Sequence, residues 1–203
     1  MFISVISTIT DIFKENFFNF IDSSLLVITI ITFAIFIIIF YKKYKDYQVE
    51  YSRQLKTKEV LLLILLGVLL NCSYNLIMSS INGFYHFTDA YNAVKIDFMT
   101  SIIATGILGP ILEEFLFRGL VYNKLKTFNK KMTAIVLTSI IFAIFHQSFI
   151  QILYTFCLSF VLIYSYEKFK TLKAPIIIHI ASNIINVFVC LLIFQNNLFS
   201  GFS

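Results

Sequence analysis

Apolar runs of membrane-crossing length recur along this chain, separated by short polar stretches. They fall at residues 25–41, 60–80, 98–120, 132–147, 149–166 and 174–194. About 18 to 25 apolar residues carry a helix across roughly 30 Å of hydrocarbon. The pattern therefore predicts an all-α, multi-pass transmembrane helix bundle of about six spans, the fourth and fifth short. Ahead of them, residues 1–21 are apolar but interrupted by Asp11, Lys14 and Glu15. That mixture predicts an N-terminal amphipathic helix lying in the membrane interface rather than a further span. It has neither a basic leading segment nor a small-residue cleavage site, and it is not read as a signal peptide. The sizeable hydrophilic stretches are 42–59 and 82–97, and no internal repeat or low-complexity linker divides the chain. Residues 1–203 are read as a single integral membrane domain.

Composition agrees with the pattern. Hydrophobic residues make up 59% of the chain, phenylalanine occurs 24 times and charged residues are 13%, against roughly 25% in a soluble domain. The net charge of +5 would suit a nucleic-acid partner if the cations were gathered on one soluble face. They are instead sorted by loop. Lys42, Lys43, Lys45, Arg53, Lys56 and Lys58 fall in the first loop, Lys124, Lys126, Lys130 and Lys131 in the third, and Lys168, Lys170 and Lys173 in the fifth. The positive-inside rule puts those loops in the cytoplasm and both termini outside a cell membrane. The charge balance thus reads as topology, with the lipid bilayer as partner and no nucleic acid. Cys72, Cys157 and Cys190 stand in apolar spans without CxxC spacing, so neither a disulfide framework nor a thiolate zinc site is indicated.

Three small polar clusters interrupt the apolar runs. Each buried charge at bilayer depth costs about 2.5–3.5 kcal/mol on insertion scales, so such groups mark function by default. The first cluster is Glu113, Glu114 and Arg118, just after Gly109 and Pro110. Pro110 removes a helical hydrogen bond and crowds the carbonyl of Gly106, which loosens the turn before the carboxylates. Glu114 and Arg118 are four apart and pair on one face. Glu113 points about a hundred degrees away and is left without a partner in its own helix, which suits a general base. The plain structural reading of this string is a helix-packing salt bridge. The second cluster is His146 with Phe142 one turn earlier. The turn expected at 127–132 is equally far along the chain from Glu113 and His146, so an antiparallel hairpin would set the two at one height with a water between them. The third is His179 and Asn183, which share a face of the last helix after Pro175 and offer two hydrogen-bond donors, as an oxyanion hole requires. Taken alone, that pair reads as interhelical hydrogen bonding.

Together the clusters resemble the CPBP family of intramembrane proteases, the group that holds CAAX prenyl endopeptidases and bacteriocin-processing or immunity proteins. The family's EExxxR, FxxxH and HxxxN motifs are present in order at Glu113, Glu114 and Arg118, at Phe142 and His146, and at His179 and Asn183, and the likeness covers about half the chain. The resemblance implies an intramembrane endopeptidase acting on a membrane-associated peptide or leader. It implies catalytic helices in 98–194, with N-terminal helices and a cytoplasmic loop in 1–97. By the same analogy Glu113 activates the water, His146 helps to hold it, and His179 with Asn183 stabilises the oxyanion. Glu114, Arg118 and Phe142 support the site. No cofactor is preferred. Zinc held by Glu113, His146 and His179 is the alternative, weakened by the lack of an HExxH pair. Two other functions compete: a non-enzymatic bacteriocin immunity protein, and a small transporter relaying protons or ions.

The lysine distribution makes a direct topological prediction. Cysteine-accessibility labelling at Ser52 and at Asn92 is expected to report opposite sides of the membrane, and labelling of both from one side contradicts it.

Overall fold

The computed structural model describes residues 27–28, 30–32, 34–35, 38, 53–82, 100, 102–146 and 149–200. Among these the fold is all-helical. In chain order the elements are α1 (Thr57–Asn82), π1 (Ile102–Leu108), α2 (Gly109–Glu114), π2 (Phe115–Tyr122), α3 (Asn123–Phe128), α4 (Lys131–Ile144), α5 (Phe149–Phe169) and α6 (Lys173–Ser200). The interfacial helix expected at 1–21 lies outside the described residues. Of the span expected at 25–41, only scattered helical, exposed positions such as Val27, Ile31 and Ile38 are described.

The expectation was of about six spans with the fourth and fifth short, and the described residues show part of that pattern. Two stretches, Thr57–Ile77 and Phe149–Phe169, are long and apolar enough to cross a membrane, and Lys131–Ile144 and Lys173–Val189 are shorter apolar helices. With 14 residues, α4 rises about 21 Å at about 1.5 Å per residue, less than a full crossing. The run expected at 98–120 continues to Phe128 and contains two π segments. Pro110 explains the first. It has no N–H to close an α-helical turn, and its ring crowds the preceding turn, so the ladder widens there. Gly109 lets the widened backbone pack closely, since a Cβ at that position would lie 3.1 Å from the Ala104 oxygen. In π2 the wider turn brings Phe117, Arg118, Gly119 and Tyr122 all inward.

Helix α6 is the element on which the others converge, packing against α1, α5, π1 and α2. Its contact with α1 depends on Gly67. A Cβ there would collide with the carbonyl oxygen of Ile178 and lie 2.8 Å from the Ala181 Cβ. Small residues permit such close helix crossings in membranes, where packing and not water exclusion drives association. Two apolar cores flank α5. Tyr122, Ala134, Ile163, Tyr166 and Leu172 join it to π2 and α4, whereas Leu63, Leu158, Leu162, Ala174 and Ile178 join it to α1 and α6. The outer face of α1 presents Leu61, Leu62, Leu65, Leu69 and Leu76, a continuous apolar stripe suited to lipid rather than water.

Gly67→Leu is expected to lower thermal stability in detergent by at least the roughly 1–3 kcal/mol typical of overpacking. Leu65→Ala on the exposed face should change it little. An unchanged melting temperature for Gly67→Leu means that α1 and α6 do not meet there.

Candidate active site

The site is built around an acidic and a basic side chain that have no contact with solvent. Glu114 ends α2 and Arg118 lies one turn on in π2, both side chains 0% exposed. Arg118 Nη1 donates to Glu114 Oε1 at 2.9 Å, and Nη2 donates to Ser159 Oγ on α5, also at 2.9 Å. The guanidinium carbon lies 4.5 Å from the centre of the Phe142 ring, within cation–π range. The pair therefore ties the α2–π2 junction to both α4 and α5. Its neutralisation is incomplete in hydrogen-bonding terms, since Glu114 Oε2 and Arg118 Nε have no protein partner. Such a pair is a poor way to gain stability compared with an apolar one, which points to its second contact as its use.

That contact is to His179. Its Nδ1 lies 2.7 Å from the same Glu114 oxygen, and its side chain is 5% exposed. A carboxylate can only accept, so the proton sits on Nδ1, and in the neutral imidazole Nε2 is then an acceptor. Nε2 faces Glu113 Oε2 at 3.7 Å, too far for a direct hydrogen bond. Glu113 differs from its neighbour in burial: its side chain is 38% exposed. With the ring neutral, two acceptors face each other at the open side of the site, a geometry that a proton donor between them completes. A water about 2.8 Å from each would do so, with its lone pairs left to point outward.

Phe142 is the spacer of the site. Buried to 1% exposure, it meets the His146 ring at 5.2 Å, the His179 ring at 6.0 Å and the Phe117 ring at 5.0 Å between centroids. His146 lies past the end of α4, half-buried, with Nδ1 3.2 Å from the carbonyl oxygen of Phe142. Asn183, one turn beyond His179, donates to the Thr105 oxygen in π1 at 3.0 Å. In a π pattern the fifth residue on from Thr105 is Pro110, whose nitrogen has no hydrogen to give. The carboxamide supplies one from across the helix interface.

The structure brings Glu113 to His179, a contact that spacing did not announce. No direct hydrogen bond joins Glu113 to His146 among the described residues; the expectation was of a water held by both. His179 stands between the two glutamates, and one N–H of Asn183 is donated to Thr105. The Glu114–Arg118 pair stands as its spacing implied. Ser159 and Thr105 were not singled out from sequence. One is a small hydroxyl in an apolar helix and the other contributes only its backbone, and neither leaves a spacing signal. A catalytic zinc needs three protein donors. Glu113 and His179 offer two, but no group of three His, Cys, Asp or Glu able to hold a metal occurs among the described residues.

Comparison with known proteins covers the segment that carries these residues. Residues 95–185, which include Glu113, Glu114, Arg118, His146, His179 and Asn183, match the family described as type II CAAX prenyl endopeptidase Rce1-like. A Bacillus subtilis (strain 168) protein named "Putative membrane peptidase YdiL" is 32% identical over 82 residues, covering 40% of this chain and 34% of that relative. The chain thus matches about a third of that relative's length. No solved structure gives a significant match.

Arg118→Ala leaves Glu114 charged, buried and without its cation. The expected cost is about 3–5 kcal/mol, read as a lower melting temperature and folded yield in detergent. Ser159→Ala, which removes one bond to the guanidinium, should cost about 1–3 kcal/mol. Wild-type stability of Arg118→Ala would mean that the pair is solvated.

Proposed function

From the Rce1-like segment at 95–185 and the geometry around it, we propose that this chain is a membrane-bound endopeptidase that cleaves a membrane-associated peptide by a glutamate-activated water. One observation carries the mechanism. A partly exposed carboxylate, Glu113, faces an imidazole nitrogen at 3.7 Å whose ring is fixed from behind by the buried Glu114.

In this reading a water donates one hydrogen to Glu113 and the other to His179 Nε2, so its lone pairs face the scissile carbonyl. Glu113 removes a proton as the water oxygen attacks the carbonyl carbon. The role of stabilising the oxyanion is assigned to the second N–H of Asn183 and to the imidazole of His146. Glu113 then returns the proton to the amide nitrogen, the C–N bond breaks, and a carboxylate and an amine leave. Glu114 and Arg118 act by positioning, because they fix the tautomer and ring plane of His179. A peptide in a hydrophobic span must present an extended bond here, since a helix hides its carbonyls.

Membranes holding wild-type protein are expected to contain a cleaved peptide, found by mass spectrometry, that is missing with Glu113→Ala. Once that substrate is in hand, Glu113→Gln should lower cleavage by about 10²-fold or more. Its melting temperature should stay near wild type because the side chain is partly exposed. Asn183→Ala should reduce kcat more than it raises KM, by about 10²-fold. Full cleavage by Glu113→Gln excludes it as the base. If host cells are protected from a bacteriocin equally well by Glu113→Gln, protection is binding and not proteolysis.

A further inference from the structure

Asn71, Asn75 and Asn186 meet where α1 packs against α6, away from the charged site. Asn75 Nδ2 donates to the backbone oxygen of Asn71 at 3.0 Å and to Asn71 Oδ1 at 2.7 Å, and Asn71 Nδ2 donates across the helix interface to Asn186 Oδ1 at 3.5 Å. The order of these contacts fixes each carboxamide in turn. A backbone carbonyl can only accept, so Asn75 turns its nitrogen to Asn71. Asn71 then meets that nitrogen with its oxygen and turns its own nitrogen to Asn186, whose oxygen must face back. What the relay leaves over is the NH2 group of Asn186, which donates to no described residue.

Helix packing is a poor account of this relay. Asn71 is 3% exposed, yet its one bond between helices is at the long limit of hydrogen bonding. A link that weak does little to offset the cost of burying carboxamides. The position of Asn186 suggests another use. It stands seven residues beyond His179 on α6, half-buried. At about 100° and 1.5 Å per residue, that brings it to within about 20° of the same face, about 10 Å further along. An extended peptide advances about 3.3 Å per residue, so this distance corresponds to about three residues. A peptide opened for cleavage carries backbone carbonyls that hydrocarbon cannot satisfy, and the group that Asn186 presents is a donor.

We propose that Asn186 binds a backbone carbonyl of the substrate peptide about three residues from the cleaved bond, with Asn71 and Asn75 as positioning residues that orient its carboxamide. This rests on the protease reading and extends it. The peptide lies extended along α6 from His179 towards Asn186, and this contact recognises its backbone, not its side chains.

The test uses synthetic versions of the peptide that wild-type membranes cleave. Each backbone amide within four residues of the cut, the cut itself excepted, is replaced in turn by an ester, whose carbonyl is a weaker acceptor, with the chain length unchanged. At one position two to four residues from the cut, the ester should raise KM of wild-type protein about fivefold with kcat little changed. Asn186→Leu should have a KM already raised by that factor on the all-amide peptide and should be insensitive to that ester. Asn71→Leu, which frees the Asn186 carboxamide to turn, should lose part of the same sensitivity. If Asn186→Leu does not fold, Asn186→Ala makes the comparison. An equal loss by the Asn186 variant on every peptide, with no ester effect removed, makes Asn186 structural and overturns the proposal. Absence of any cleavage by wild-type protein overturns the protease reading and this inference with it, whereas cleavage without a coupled position overturns the inference alone.

Discussion

A carboxylate and a guanidinium without solvent contact are held 2.9 Å apart between apolar helices, and the arrangement of the site follows from what that burial requires. Neither charge is tolerable alone in such surroundings, so each fixes the other. The guanidinium takes a hydroxyl from α5 and a ring face from α4, while the carboxylate takes the imidazole of α6. Three helices are thereby referred to one pair of charges. The same constraint separates the two adjacent glutamates: Glu114 is closed off and spent on orientation, and Glu113, about a hundred degrees round the helix, is left partly exposed beside the histidine that its neighbour has oriented.

The bends of the helix matter as much as its charges. Pro110 opens the backbone before the glutamates, and π2 turns Phe117, Arg118 and Tyr122 inward together. Asn183 repays part of the opened backbone by donating to Thr105, so the last helix both orients His179 and closes the gap that Pro110 creates. Gly67 serves the same end from the other side. By letting α1 approach the carbonyl of Ile178, it seats α6 one residue away from His179.

Much of this could be read from residue spacing. A separation of four put Glu114 on Arg118 and Phe142 beside His146, because one helical turn brings such pairs together whatever surrounds them. The break at Asn129 and Lys130 falls where the hairpin turn was expected. Contacts between helices were less legible. The approach of Glu113 to His179 is a contact between two helices far apart in the chain, and no periodicity within either helix announces it. Ser159 is invisible for a related reason: one serine among apolar residues reads as a tolerated small side chain until Arg118 is known to face it. The shortness of the fourth apolar run was legible from its length, and α4 has 14 residues.

The central claim is that Glu113 and His179 hold one water between them, and a double-mutant cycle on peptide cleavage tests it most directly. Glu113→Gln, His179→Ala and the variant with both changes would be compared with wild type on the same substrate. Two groups acting on one water form a unit, so the double variant should lose no more activity than the worse single one. If the two losses multiply, or if His179→Ala cleaves like wild type, the groups act separately and the shared water is wrong.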